Sequence, residues 1–265
     1  MAVEEFLRLG WLQWDLVWED PQANCTRVEA LLAEAPPADV WVLPEMWSTG
    51  FSMATDQAEP EGGPSWRAMQ TWAERYGALF IGSLRVRTSK DVRNRAYAVY
   101  PDGKAVFYDK RHLFRLAQED RYYAAGDQQV LFSWKGWQLA VQICYDLRFP
   151  VWSRRTPRYA YDVLIYVANW PAVRHLHWEQ LLPARAIENQ SYVLGVNRLG
   201  RDGHGHLYRG GSVLYDFRGA ALLSSGQAEG AFVQAIAFTP LQAYRDQFPA
   251  WRDADGFEFL PPLSS

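Results

Sequence analysis

The sequence predicts an α/β fold in which helices pack against the outer faces of a β-sheet. Three observations lead to this prediction. Short apolar runs recur along the 265 residues, segments with helical spacing stand between several of them, and no repeat or flexible linker divides the chain. Such alternation is typical of sheets covered by helices, and α/β domains often reach this length. We therefore expect a single domain spanning residues 1–265.

The first half of the chain alternates between strand and helix patterns. Residues 7–14 form an apolar run typical of a buried strand, and residues 21–35 have helical spacing that ends before Pro36. Residues 39–43 are β-branched and aromatic, and Pro44 stops them. The same criteria predict a helix and then three strands at residues 65–76, 79–86, 95–100 and 105–108.

The second half repeats this alternation. Residues 137–143 and 163–167 are apolar runs that predict buried strands, and residues 177–188 have helical spacing. Three more strands are predicted at residues 192–196, 211–215 and 231–236. Over residues 239–265 the apolar side chains are spaced irregularly. We expect this segment to be a C-terminal extension that wraps over a surface or a partner subunit.

Composition and charge exclude several classes of function. The net charge of −3 and the pI near 6.0 provide no basic field that would collect nucleic acid or an anionic membrane. The two cysteines, Cys25 and Cys144, cannot build a disulfide framework or a zinc set, which suits a reducing compartment. The N-terminus is acidic where a signal peptide is positive, and no apolar run approaches the ~18 residues that cross a bilayer. We expect a cytoplasmic protein that acts on a small molecule.

Three polar residues stand where predicted strands stop, namely Glu45, Lys110 and Cys144. Loops at the carboxyl ends of strands converge in α/β sheets and commonly carry ligand sites. Each residue alone has a structural alternative, because a solvated Glu or Lys and a buried Cys are common in such places. Together they supply a proton carrier, a fixed cation and a nucleophile. Their coincidence at three strand ends favours one shared site over three unrelated structural roles.

The sequence around these residues carries a family resemblance. Glu45 lies in LPEMWSTGF, Lys110 in YDKRHLF and Cys144 in ICYDLRFP, and a fourth segment downstream is ARAIENQSYVLGVNR. Over about residues 7–238 the chain resembles the carbon–nitrogen hydrolase (nitrilase) superfamily. The resemblance implies a Glu–Lys–Cys triad on a four-layer α-β-β-α sandwich of two mixed β-sheets. It also implies homo-oligomers, most often dimers.

Elementary chemistry supports a role for each member of the triad. Cys144 would attack as a thiolate, and because a free thiol has a pKa of about 8.5 it needs a neighbouring base or cation. Glu45 would take the thiol proton and later deliver one to the departing ammonia. Lys110 and the backbone N–H of Tyr145 would stabilise the tetrahedral oxyanion, where the loss of one donor costs about 3 kcal/mol.

Other residues are expected to support the triad. Glu119, in QEDRYYAAGD, stands where the family places a second glutamate, and His112 resembles a family histidine that hydrogen-bonds near the site. A purely structural role is the alternative for both. Asp146 and Arg148 could form an ion pair that braces the nucleophile turn, or Arg148 could bind a substrate carboxylate in a fork geometry.

Four further residues are candidates for substrate binding. Asn169 and Trp170 end a strand that should point into the site, and Trp170 would then form a pocket wall. Phe51 and Phe114 lie in the loops that follow the first two triad residues. The chain has 13 tryptophans, so a place in the core is the alternative for Trp170.

Signatures of other sites are missing from the sequence. It contains no P-loop, no G-x-G-x-x-G, no H-E-x-x-H and no G-x-S-x-G nucleophile elbow. His204 and His206 resemble a metal pair, but no further ligand motif is nearby, and we expect a loop there. Cys25 has no base or cation pattern around it and is expected to be structural. The chemistry outlined above requires no metal and no cofactor.

The residues after the nucleophile indicate a branch of the superfamily. Cys144 is followed by Tyr145 and Asp146, whereas true nitrilases have C-W-E at that point. With ANWP and ARAIENQ, the chain most resembles the omega-amidase group. This implies hydrolysis of the terminal amide of 2-oxoglutaramate or 2-oxosuccinamate, through a cysteine thioester, to the 2-oxo acid and ammonia. The alternatives are an N-carbamoyl amino acid or carbamoyl-polyamine amidohydrolase, a Cys–His protease and a catalytically silent interaction scaffold.

Overall fold

Two mixed β-sheets packed face to face form the centre of the computed structural model, which describes residues 3–259. The strands of the first sheet are β1 (Phe6–Gln13), β2 (Val40–Val42), β3 (Glu59–Pro60), β4 (Leu79–Arg87), β5 (Val92–Val99), β6 (Ala105–Asp109) and β15 (Gly230–Ala237). Their order is β15-β1-β2-β4-β5-β6, and β3 pairs with β4. Strands β1, β2 and β4 run parallel, whereas β15 and β5 are antiparallel to their neighbours.

The second sheet repeats this arrangement with a parallel centre. Its strands are β7 (Phe132–Trp134), β8 (Trp137–Ile143), β9 (Val163–Val167), β10 (Tyr192–Val196), β13 (Val213–Tyr215) and β14 (Ala221–Ser224). Their order is β14-β13-β10-β9-β8-β7, with β8, β9 and β10 parallel. A separate hairpin consists of β11 (Leu199–Arg201) and β12 (Leu207–Arg209).

Five α-helices lie within residues 3–259, namely α1 (Pro21–Ala33), α2 (Pro64–Tyr76), α3 (Pro150–Ser153), α4 (His175–Asn189) and α5 (Phe238–Gln247). Helices α1 and α2 cover the outer face of the first sheet and α4 covers that of the second, whereas Trp152 of α3 and Leu241 of α5 belong to the core between the sheets. Trp72 of α2 packs with Phe80 of β4 on the first sheet, and Trp178 and Leu182 of α4 pack with Leu164 of β9 on the second. The predicted four-layer α-β-β-α sandwich is therefore confirmed. None of the helices within residues 3–259 is long and apolar enough to cross a bilayer.

Local sequence explains where the main helices begin and end. Helix α1 starts at Pro21, and the side chain of Asp20 caps it by accepting the Ala23 N–H at 2.9 Å. Helix α2 ends at Tyr76 and is capped by Gly77, whose φ of 59° is readily available to glycine. The run VLIYV of β9 is buried at every residue, because the other sheet covers one face and α4 the other.

Differences between the predicted and observed elements concern short strands and the C-terminal segment. The stretch at 201–211, expected as a loop, contains β12 and the turn of a hairpin. The predicted extension at 239–265 starts within α5, whose Leu241 is buried and whose Arg245 donates to Asp162 at 2.7 Å. Residues 248–259 follow with several exposed aromatic side chains, and residues 260–265 lie outside the described part of the chain.

Candidate active site

The three predicted catalytic residues line one pocket between the sheets. Glu45 follows β2 and Lys110 follows β6 in the first sheet, whereas Cys144 follows β8 in the second. Strands β4 and β6 point the same way because each is antiparallel to β5. Strand ends from both sheets therefore bring together residues that are distant in sequence.

A buried cluster of one lysine and two glutamates lies at this pocket. Lys110 Nζ is 2.8 Å from Oε1 of Glu45, and 3.0 and 3.1 Å from Oε2 and Oε1 of Glu119. All three side chains are at most 1% exposed. The Phe114 N–H donates to Oε2 of Glu119 at 2.6 Å. The structure thus brings Glu119 beside the two predicted triad members, in direct contact with the lysine.

Burial and neighbouring charges shift the pKa values of Lys110, Glu119 and Cys144. Burial disfavours the charge of Lys110, but Glu119 and Glu45 outweigh it and hold the pKa of the ammonium well above its ordinary value. Burial raises the pKa of Glu119 against the attraction of Lys110. Burial, followed by the charge of Glu45, raises the pKa of the Cys144 thiol well above its ordinary value. The thiol is therefore protonated near neutral pH, and its activation requires a base.

The nucleophile candidate sits on a strained turn. Cys144 has a backbone φ of 45° and begins the 3₁₀ helix Cys144–Arg148. A positive φ is uncommon for a residue with a side chain, and such strain persists mainly at functional sites. Tyr145 is the second residue of this turn, where an N–H has no acceptor within the helix. Its N–H is therefore available to a ligand beside Sγ, which lies 3.8 Å from the Asn169 backbone oxygen.

Asp146 stabilises this turn through hydrogen bonds from both of its carboxylate oxygens. Its Oδ2 accepts from the Tyr108 hydroxyl at 2.7 Å and from the Ile143 N–H at 3.0 Å. Its Oδ1 accepts from the His112 N–H at 2.9 Å and lies 2.8 Å from His112 Nδ1. The suggested ion pair between Asp146 and Arg148 is therefore wrong, because these groups occupy the carboxylate. His112 contacts the nucleophile turn through Asp146.

Aromatic side chains contribute a large part of the pocket wall, and the pocket together with the solvent at its mouth has a volume of about 370 Å³. The predicted wall residues Phe51, Phe114 and Trp170 all line it. The Phe51 ring centroid lies 5.0 Å from Lys110 Nζ, and the Phe114 ring packs 4.9 Å from that of Tyr145. A substrate amide that reaches Cys144 therefore lies between apolar walls and the buried charges.

Two arginines also line the pocket. The guanidinium of Arg148 lies 4.8 Å from the Trp170 ring, and that of Arg174 lies 5.6 Å from the Phe114 ring. Within residues 3–259 neither guanidinium has a carboxylate within ion-pair distance, and Nη2 of Arg148 is 3.0 Å from Nδ1 of His177. Burial, with a further contribution from the charge of Arg174, lowers the pKa of Arg148. Arg174 was missed from sequence, where its closeness to the ANWP segment was the available signal.

Two asparagines hold Glu45 in place. The Asn169 N–H donates to Oε2 of Glu45 at 2.8 Å, and Asn169 Nδ2 donates to the Glu45 backbone oxygen at 2.5 Å. Asn94, on β5, donates from Nδ2 to Oε1 of Glu45 at 2.8 Å. Sequence analysis had placed Asn169 at the site and had missed Asn94, which precedes the strand predicted at residues 95–100.

Comparison with known proteins agrees with this architecture. The carbon–nitrogen hydrolase family model matches residues 8–246. The chain belongs to the carbon–nitrogen hydrolase family. It is 47% identical to omega-amidase YafV of Yersinia enterocolitica, over 96% of this chain and 99% of that protein. It is 35% identical to 2-oxoglutaramate amidase of Bacillus subtilis, over 91% of this chain and 95% of that enzyme.

A solved structure extends the likeness of this carbon–nitrogen hydrolase to the whole fold. A CN-hydrolase superfamily protein from Xanthomonas campestris, with an arsenic adduct in its active site, superposes with a TM-score of 0.94. Its sequence is 40% identical, over 97% of this chain and 100% of that chain. The predicted membership of the nitrilase superfamily is therefore confirmed.

The remaining candidates lie away from the pocket. His204 and His206 occupy the turn of the β11–β12 hairpin, where the Asp202 carboxylate accepts both backbone N–H groups at 2.9 Å. Cys25 is half-buried on α1, and burial raises its pKa to about 11. In the described part of the chain, no three His, Cys, Asp or Glu side chains are grouped as metal ligands.

Proposed function

We propose that this carbon–nitrogen hydrolase is an omega-amidase that releases ammonia from the terminal amide of 2-oxoglutaramate or 2-oxosuccinamate. The observation that carries the proposal is the buried Lys110, held by two carboxylates at the pocket that Cys144 lines. Relatives named omega-amidase and 2-oxoglutaramate amidase, 47% and 35% identical, support this substrate class. The chemistry follows from the roles of Glu45, Lys110 and Cys144.

Acylation begins with proton transfer from Cys144 to Glu45. The thiol is protonated at rest because burial raises its pKa, so the carboxylate of Glu45 accepts the proton as sulfur attacks the amide carbon. The carbonyl oxygen becomes an oxyanion beside Lys110 and the Tyr145 N–H. Glu45 then returns the proton to nitrogen, the C–N bond breaks, and ammonia leaves a thioester on sulfur.

Lys110 retains a donor for the oxyanion. An ammonium has three N–H bonds. One is donated to Glu45, and a second is shared between the two carboxylate oxygens of Glu119. The third points elsewhere, and Lys110 lines the pocket. Glu119 thereby orients the cation without contacting the substrate.

Hydrolysis of the thioester uses the same groups. Water gives a proton to Glu45 while its oxygen attacks the thioester carbon, and the second oxyanion meets the same donors. The C–S bond breaks, the proton passes to sulfur, and the 2-oxo acid leaves as its carboxylic acid. Cys144 and Glu45 return to their starting protonation states.

The pocket also suits the far end of such a substrate. A 2-oxo acid monoamide carries one carboxylate, and Arg148 and Arg174 are guanidinium groups at the pocket with no carboxylate partner among residues 3–259. Guanidinium binds carboxylate with paired hydrogen bonds. We assign the substrate carboxylate to these arginines, while Phe51, Phe114 and Trp170 enclose its carbon chain.

One assay tests this proposal against its alternatives. The purified protein and a Cys144→Ala variant are incubated with 2-oxoglutaramate, 2-oxosuccinamate, glutamine, asparagine and an N-carbamoyl amino acid, and ammonia is followed. The proposal expects turnover of the two oxo-amides and none by the variant. Turnover of the carbamoyl compound, with carbon dioxide, would instead identify a carbamoyl amidohydrolase. No ammonia from any amide, together with no alkylation of Cys144 by iodoacetamide, would favour the silent scaffold.

A homodimer is part of the proposal. Leu176 and Ile187 are 64% and 54% exposed, and they lie eleven residues apart on α4, which is three turns and places them on one face. Val151 and Val173 add further exposed apolar surface near this helix. Sedimentation of a Leu176→Glu variant should show monomer where the parent is a dimer. Deletion of residues 248–265 tests whether the tail contributes, and unchanged assembly would reject a wrapped partner.

We place the protein in the cytoplasm. Cys25 and Cys144 are both free cysteines, and neither is needed for a disulfide. A reducing compartment keeps the proposed nucleophile available. Fractionation of cells expressing the protein, with periplasmic and cytoplasmic marker enzymes, provides the test, and recovery with the periplasmic marker would reject this location.

A further inference from the structure

Asn94 contacts all three charged members of the buried cluster. Its side chain is fully buried. Nδ2 donates to Oε1 of Glu45 at 2.8 Å and to Oε1 of Glu119 at 3.3 Å. Its backbone oxygen accepts the Lys110 N–H at 2.9 Å. Asn94, a single residue of β5, therefore links Glu45, Lys110 and Glu119, which come from three separate segments of the chain.

The two carboxylates determine which way the Asn94 amide points. Its Oδ1 is buried and has no hydrogen-bond donor within residues 3–259. Turning the amide over would set that oxygen against carboxylate oxygens of Glu45 and Glu119 and remove a donor from both. An unpaired buried acceptor is costly. The NH₂ group of Asn94 therefore faces the two carboxylates, and Oδ1 is left without a hydrogen bond.

The two oxygens of Glu45 are used unequally. Oε1 accepts from Lys110 Nζ and Asn94 Nδ2, each at 2.8 Å. Oε2 accepts the Asn169 N–H at 2.8 Å, its one hydrogen bond within residues 3–259. Because a carboxylate oxygen offers about two acceptor sites, Oε1 is saturated and Oε2 has one left.

We infer that Asn94 is a positioning residue for proton transfer, which saturates Oε1 of Glu45 so that Oε2 receives the proton of Cys144. This inference rests on the proposed function and deepens it. A hydrogen bond to a carboxylate also stabilises its charge, and Asn94 donates one to each glutamate. A neutral donor does this without a second buried cation. The titratable groups around it are Glu45, Glu119, Lys110 and Cys144, with the Tyr123 hydroxyl beyond Glu119.

The pH dependence of an Asn94→Ala variant tests the inference. Two rates are measured in a Cys25→Ala background, namely kcat/KM for 2-oxoglutaramate and alkylation of Cys144 by iodoacetamide. Without the donor, the two buried carboxylates lose hydrogen bonds that stabilise their charge. The acid limb of both profiles should therefore move up by roughly one to two pH units, the shift that one charge-assisted hydrogen bond produces.

Asn189→Ala is the matched control. Asn189 is also buried, and its side chain bonds the Arg155 N–H at 2.8 Å and the Arg185 backbone oxygen at 2.9 Å, away from the pocket. This variant should lose stability without moving either limb. If Asn94→Ala lowers both rates but leaves both limbs in place, Asn94 is merely structural and the inference is overturned.

Two further arms keep the test decisive. Asn94→Ser is too short to reach both carboxylates and should give the same direction of shift if Asn94→Ala does not fold. The alkylation profile needs no substrate. A parent protein that hydrolyses no amide would therefore refute the proposed function, while the alkylation limb would still decide the role of Asn94.

Discussion

Replacing Lys110 by methionine leaves two buried carboxylates without their cation. The ammonium lies 2.8 Å from Glu45 and 3.0 Å from Glu119, and at an effective dielectric constant near 20 each pair is worth about 6 kcal/mol. The protein recovers much of this by protonating a carboxylate, so the net loss should be about 3–5 kcal/mol. With an unfolding entropy of ~2.1 cal/mol/K per residue over 265 residues, Tm should fall by about 5–9 °C.

The loss of stability should depend on pH in a definite direction. Burial already raises the pKa of Glu119 in the folded protein, so this group contributes stability below its unfolded pKa of about 4.3, and that stability is lost as pH rises through the folded pKa. Lys110→Met removes the opposing attraction and raises the folded pKa further. The Tm difference between parent and variant should therefore be largest at neutral pH and shrink towards pH ~4.

Differential scanning calorimetry across this pH range measures the effect. Adding Glu119→Gln to Lys110→Met removes one of the two stranded charges and should recover about 1–3 kcal/mol. Lys104→Met is the control, because Lys104 pairs with Asp102 on the surface and its loss should leave Tm unchanged. A Lys110→Met protein with the parent Tm at neutral pH would refute the charged cluster, as would a penalty that grows on acidification.

Three other variants test neighbouring parts of the site. Asp146→Asn turns an amide NH₂ towards the donors around the nucleophile turn, so calorimetry should show a loss of about 1–3 kcal/mol with a lower kcat; parent values would contradict its bracing role. Arg174→Met should raise KM for 2-oxoglutaramate about 10- to 100-fold with little change in kcat, whereas an equal effect on uncharged propionamide would reject carboxylate binding. In Gly126→Ala the new Cβ would overlap the Asp109 backbone oxygen, next to Lys110. Stability should therefore fall by about 1–3 kcal/mol, with a lower Tm and a lower kcat. Parent values of Tm and kcat would show that the backbone at Gly126 can move to accommodate the methyl group.

Sequence revealed most clearly the strands that are buried on both faces. Strand β9 appears as an uninterrupted apolar run, and β8 departs from one only at Gln138 and Gln142, because each lies between the other sheet and a helix layer or turn. Strands β7, β11 and β12 have three residues each, and their pairing depends on partners that a local pattern cannot identify. Helix α5 escaped notice because Phe238–Gln247 has apolar residues that face several different elements rather than one.

The candidate site shows the same division. Glu45, Lys110 and Cys144 follow strands directly, so position in sequence already marks them. Asn94 donates from within β5, and no local feature distinguishes it from a core residue that satisfies its own hydrogen bonds. The suggested pairing of Asp146 with Arg148 failed because the short turn sends them in different directions, towards Tyr108 and towards the pocket.

Glu45 and Lys110 follow strands of one sheet, and Cys144 follows a strand of the other. Amide hydrolysis therefore measures whether the two sheets have packed together. Either sheet can regain its strands in a refolding experiment while the nucleophile remains apart from its base. Circular dichroism should therefore recover before amide hydrolysis does, because joining the sheets requires contacts between distant parts of the chain. Conversely, a destabilising substitution confined to the interface between the sheets should abolish amide hydrolysis while most of the secondary structure persists.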